Sequence, residues 1–230
     1  MKKRIRIQGT IVSLAVILII FLPKRIFFSQ FKNEVIDELL DFLGVGLILY
    51  GFLFRIVARG YKEYRSFGGK SLVSDGPYRL IQNPMYFGTF LIGTGIIFVL
   101  FGLWTFLLFM IIYLSIYIPQ IKKENETLSM RFGQEYKDYC KKTPKYFPNI
   151  YYLLNFKDYI FLRLSWIKKE ITSFVVVMVS ILTIEIWQDK KLFSKEGFLG
   201  ELIELSFIIS AFFLIIFLFV RTNKENQKFS

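Results

Sequence analysis

Long apolar runs alternate with short basic stretches along the 230 residues. A bilayer core is crossed by about 20 apolar residues in helical form, so the runs predict spans. The first is Thr10–Leu22, short enough that Ile26, Phe27 and Phe28 extend it. Basic residues precede it, but no small-residue cleavage site follows Phe21-Leu22-Pro23-Lys24-Arg25, so an uncleaved span is expected rather than a signal peptide. Further spans are expected at Leu39–Ala58, Pro84–Leu100, Leu103–Pro119, Phe174–Trp187 and Leu202–Val220. No charge interrupts Met85 to Pro119, and only Phe101 and Gly102 separate the third and fourth spans. This predicts a tight two-helix hairpin in which Gly88, Gly93, Gly95 and Gly102 let the backbones approach. Residues 151–169 mix aromatic and basic side chains, the pattern of a helix lying at the membrane interface. The expected fold class is an all-α polytopic membrane bundle of about six spans, with the hairpin in its middle. Its expected parts are an N-terminal span and outer loop (1–38), a core (39–150), and an interfacial helix with two extra spans (151–230).

Charge adds an orientation. The net charge is +12. Of the Lys and Arg residues, 24 fall in alternate segments that share one side, and 6 in the opposite loops. The positive-inside bias then puts both termini and the two polar loops of the core in the cytoplasm, and the expected location is a bacterial inner (plasma) membrane. The basic residues form no single stripe, which argues against a nucleic-acid partner. One cysteine, Cys140, excludes an intrachain disulfide, and the absence of histidine excludes His-based acid–base chemistry and His-containing metal sites. No metal site is expected.

The two polar loops hold the candidate chemistry. Asp75-Gly76-Pro77-Tyr78 reads as a turn, followed by Arg79 at the membrane edge. Asn83-Pro84 is a helix start, with Asn as N-cap and Pro at the first helical position. Such a helix end can serve only structure, or can hold a carboxylate or ribose oxygen near Tyr86. In the second loop, Glu124, Leu128 and Phe132 share a face if 121–132 is helical. Gly133 is a natural helix end, and a helix over Gln134–Lys142 would put Tyr136 and Tyr139 together. A carboxylate beside aromatic rings suits a cationic cofactor. Taken alone, Glu124 reads first as part of a solvated helix, and Arg79 and Lys145 read as cations facing lipid headgroups.

In order and spacing, the two loops resemble the signatures of the isoprenylcysteine carboxyl methyltransferase and phospholipid N-methyltransferase superfamily. The first is Gly76-Pro77-Tyr78-Arg79 with Asn83-Pro84-Met85-Tyr86-x-Gly88. The second is Glu124-Asn125-x-x-Leu128, Phe132-Gly133-x-x-Tyr136-x-x-Tyr139 and Pro144-Lys145-x-x-Pro148. Many members carry His, Glu and Arg where this chain has Asn83, Asn125 and Lys145, and Glu126 offers a neighbouring carboxylate. The resemblance implies methyl transfer from S-adenosylmethionine to a membrane-embedded lipid or isoprenoid-type acceptor. It implies cofactor contacts at Asn83, Pro84, Tyr86, Gly88, Glu124, Tyr136 and Tyr139, and acceptor-steadying roles for Arg79 and Lys145. Two alternatives stay open: a membrane sterol-reductase-like enzyme using NADPH, and a non-catalytic protein of the same fold.

Overall fold

The computed structural model describes residues 34–101, 104–148 and 163–188, together with 203, 206, 209 and 210. All regular structure among the described residues is helical: α1 (Glu34–Arg65), α2 (Pro77–Leu80), α3 (Pro84–Leu100), α4 (Trp104–Lys142), α5 (Leu164–Ile167) and α6 (Ile171–Gln188). The expected span at 10–22 and residues 151–162 of the expected interfacial helix lie outside the described residues. Of the expected span at 202–220, only the four residues named above are described, each helical. Among the described residues, α1 (from Val35) and α4 are long and apolar enough to cross a membrane, and Pro84–Leu100 and Ile171–Ile181 are shorter apolar helices.

Glycine explains how α1 and α3 meet. Gly44 and Gly51 lie seven residues apart on α1, as do Gly88 and Gly95 on α3, so each pair occupies one helix face two turns apart. A Cβ on Gly51 would lie 2.7 Å from the Gly88 carbonyl oxygen, and one on Gly44 2.8 Å from that of Gly95. The helices therefore run antiparallel with their backbones in contact. This corrects the expected place of the glycines, while α3 and α4 still touch through Tyr86–Tyr117 and Phe90–Tyr113 ring contacts. The glycine seam joins α3 to α1, and among the described glycines of the expected hairpin only Gly93 faces α4, against the Phe109 ring. Gly102 lies outside the described residues.

Ile48, Phe52, Phe54 and Ile56 of α1 are fully buried, with Phe174 of α6 packed edge-on against Phe52 at 5.1 Å. Trp166 and Ile167 are buried against α1, so this end of the expected interfacial helix is core rather than lipid-facing. Gly60 makes room for the Trp166 indole, since a Cβ there would overlap the ring.

Two boundaries also differ. The second span continues beyond Ala58 to Arg65, and the fourth runs through Pro119 to Lys142. Proline removes one N–H from the helix ladder, a loss that apolar membrane helices absorb. The helical path breaks instead at Gly133 (φ 54, ψ −121), a conformation that glycine adopts without a Cβ clash.

Candidate functional site

The C-terminal end of α1, the start of α3 and the second half of α4 meet at one end of the bundle. Both motif-bearing loops lie there and are stitched together. Gln82 donates through Nε2 to the carbonyls of Cys140 (3.1 Å) and Thr143 (2.7 Å), and its backbone N–H bonds Pro144 O. The Tyr139 hydroxyl donates to Tyr78 O at 2.7 Å, and the Tyr78 hydroxyl to Ala58 O at 3.3 Å. Burial pushes the Tyr78 hydroxyl far above its ordinary value, so it remains a proton donor.

The turn before α2 forms as expected. Tyr78 N–H bonds Asp75 O and Arg79 N–H bonds Gly76 O. Gly76 has φ 54, and a Cβ there would meet the Tyr61 ring at 2.7 Å. The Tyr61 hydroxyl and Arg65 Nη2 both donate to Asp75 Oδ2, at 2.8 and 2.7 Å. Burial alone would raise the Asp75 carboxyl, but these bonds outweigh it and hold it below its ordinary value.

Between these elements lies a cavity of about 570 Å³. Its wall includes Asn83, Pro84, Tyr86, Glu124, Tyr136 and Tyr139 from the sequence-predicted cofactor set. Glu124, Leu128 and Phe132 all line it, as their shared helical face requires. The Tyr86 hydroxyl donates to Glu124 Oε2 at 2.9 Å, and Lys62 Nζ reaches Glu124 Oε1 at 3.2 Å. Tyr86 is held in turn by Tyr113, whose hydroxyl donates to Tyr86 O at 2.8 Å, and by the Tyr117 ring at 5.2 Å.

Other expected positions fall elsewhere. Gly88 is in the seam against α1, where a Cβ would meet Gly51 O and Arg55. Arg79 and Lys145 are exposed and do not line the cavity, and Lys145 lies 5.0 Å from the Tyr146 ring. Asn83 heads α3, but its side chain caps nothing. Its Nδ2 is buried without a partner in the cavity wall. Asn125 accepts a hydrogen bond from the Tyr136 hydroxyl at 2.8 Å, and Glu126 is exposed and outside the lining, so it does not replace a second carboxylate in the cavity.

Sequence reasoning missed the basic side of the cavity. Arg55, Arg59 and Lys62 line it from α1, with Arg131 from α4. The 55, 59, 62 spacing is that of one helix face, a signal hidden by ending the second span at Ala58.

The lining suits an adenosine-type cofactor. The volume is that of a small-molecule pocket. The unpartnered Asn83 Nδ2 is a donor awaiting an acceptor, Glu124 can accept from ribose hydroxyls or an amino group, and the Tyr86 and Tyr117 rings can face a cation.

Residues 40–135 match the family described as phospholipid methyltransferase. That is consistent with the wider superfamily of integral-membrane methyltransferases to which the two loops are similar. The match covers most of α1, all of α2 and α3, and α4 as far as Glu135. No curated protein and no solved structure matches the chain. The family match supports methyltransferase activity of the membrane type, and with the apolar helices it points to membrane integration.

Proposed function

We propose that the chain is an S-adenosylmethionine-dependent methyltransferase acting on a membrane-embedded lipid or isoprenoid-type acceptor. The observation that carries this reading is the cavity itself. The fold brings residues from both motif loops, Asn83 and Tyr86 with Glu124, Tyr136 and Tyr139, into one wall. When bound, S-adenosylmethionine supplies an electrophilic methyl carbon on a sulfonium.

The chain's own residues then do three things. Glu124, fixed by Tyr86 and Lys62, holds hydroxyl or amino groups of the cofactor. The Tyr86 and Tyr117 rings favour positive charge at the reacting end. Apolar neighbours such as Leu72, Met85 and Leu128 limit water in the cavity. Displacement at carbon needs alignment and a dry site more than a strong base. A carboxylate acceptor reacts as it stands. An amine acceptor must first shed a proton, and the lining has no histidine to take it. The cavity opens to the cytoplasm on the charge argument above, and the acceptor reaches it from the bilayer.

The test uses purified protein in native-lipid nanodiscs with S-adenosylmethionine labelled in its methyl group. Label in an extracted lipid, lost in Glu124→Gln, supports the reading. Binding of reduced nicotinamide dinucleotide with no binding of S-adenosylmethionine overturns it.

A further inference from the structure

Glu170 is the one charged residue among the described residues with no exposed surface, at 0 %. It precedes α6, beyond the residues matched by the family. Its Oε2 accepts from Arg55 Nε at 3.0 Å and pairs with Arg55 Nη2 at 3.0 Å, while Oε1 accepts from Arg59 Nη1 at 2.8 Å. A buried carboxylate carries a large desolvation cost, offset only by close, well-directed partners. Glu170 does not line the cavity, but both arginines do. The carboxylate therefore holds two guanidiniums of the cavity lining without lining the cavity itself.

Charge and donor accounting then point to a ligand. Arg55, Arg59 and Lys169 against Glu170 and Glu63 leave a surplus of one positive charge, whereas neighbouring Lys62 is balanced by Glu124. Arg55 also spends Nη1 on Thr89 Oγ1, at 2.6 Å. Arg59 is less committed. Its side chain is 45 % exposed, and its Nη1 alone is bonded, to Glu170 and to Lys169 O. Among the described residues, its Nε and Nη2 have no acceptor. Such a planar fork, held at one nitrogen and open at two, matches a phosphate or carboxylate.

We propose that Arg59, with Arg55 beside it, forms an anion-binding position in the cavity, oriented by Glu170, for a phosphate or carboxylate group of the bound ligand. Under the proposed function, on which this assignment of the ligand rests, the anion is either the cofactor's carboxylate or the acceptor's headgroup.

The experiment begins without either. Full-length protein in phosphate-free maltoside micelles is melted against inorganic phosphate at constant ionic strength. Phosphate should stabilise the wild type, with affinity lowered about tenfold in Arg59→Gln. Arg59→Lys, which keeps the charge and an ion pair to Glu170 but not the fork, should fall between them. The source of the anion is then read separately. Weaker binding of S-adenosylmethionine, but not of its decarboxylated form, in Arg59→Gln assigns the cofactor's carboxylate. Unchanged cofactor binding with a raised half-saturating phospholipid concentration at similar kcat assigns the headgroup. An Arg59-dependent phosphate response in a protein that transfers no methyl group supports the position while removing the proposed reaction. No phosphate stabilisation of the wild type, or equal stabilisation of wild type and both variants, overturns it.

Discussion

Under the proposed function, Glu124 is decisive at the site yet minor for folding. Its two oxygens are held by Tyr86 and Lys62, but it and Lys62 are 32 % and 44 % exposed, so their ion pair adds little stability. Glu124→Gln should therefore change the melting midpoint by under about 1 kcal/mol in free-energy terms. Cofactor affinity should fall about tenfold or more, because a charge-assisted acceptor is lost. Calorimetric titration of S-adenosylmethionine beside a melt checks both. Tyr86→Phe should have a smaller effect of the same sign, whereas Arg79→Gln, outside the lining, should leave affinity within about twofold. Asp75 carries a pH dependence. Its native carboxyl lies below its ordinary value, held there by Arg65 and Tyr61. The stabilisation is therefore present above the unfolded value of about 4 and is lost as pH falls through the lower folded value. At neutral pH Asp75→Asn should cost roughly 0.5–1 kcal/mol, modest because the pair is about half-exposed. The gap between mutant and wild type should shrink below about pH 4 and close once the native carboxyl is protonated.

At the scale of helices, small residues decide which surfaces meet. The helix Pro84–Leu100 was legible in the sequence, because Asn83-Pro84 marks its start and no charge interrupts it. Its partner was not legible. Gly88 and Gly95 announce a close approach, but a helix next along the chain was the natural guess, and the matching glycines sit on α1. The polar end of α1 was misread for a related reason. Arg55, Arg59 and Lys62 end an apolar stretch, yet they continue the same helix and turn one face to a cavity. The Gly60 contact gives an independent test of such packing. Gly60→Ala favours the helix intrinsically by about 1 kcal/mol. It also drives a methyl into the indole of Trp166, which is buried and cannot swing out freely. Overpacking of that kind costs about 1–3 kcal/mol, so the substitution should lower the melting temperature. In a Trp166→Leu background the same change should be neutral or stabilising. Equal effects of Gly60→Ala in both backgrounds would show that the ring does not set this contact.

Across the whole molecule, the site depends on the two loops lying on one side of the membrane. Their spacing and charge made that expectation readable from the sequence. The support of Arg55 and Arg59 by Glu170 was not readable, because these partners lie 115 and 111 residues away and no local pattern links them. Hydrogen bonds from Gln82 to Cys140 and Thr143 put the loops together in space. The antiparallel run of α1 and α3 puts the start of α4 at the far end. This fixes a labelling pattern. Cys140 is the sole cysteine, so Cys140→Ser gives a clean background. Ser74 and Lys145 are exposed near the cavity end, and Trp104, 46 % exposed, begins α4 at the opposite end. With a membrane-impermeant maleimide, cysteines at 74 and 145 should react in inside-out vesicles and stay protected in right-side-out ones, and a cysteine at 104 should do the reverse. If 74 and 145 react from opposite sides, the loops cannot share a cavity and the cofactor site is lost with them. If both react only from outside, the cavity survives but a cytoplasmic supply of S-adenosylmethionine does not. The cytoplasmic methyltransferase reading requires the first pattern, because only that pattern brings a soluble cofactor and a bilayer-borne acceptor to the same wall.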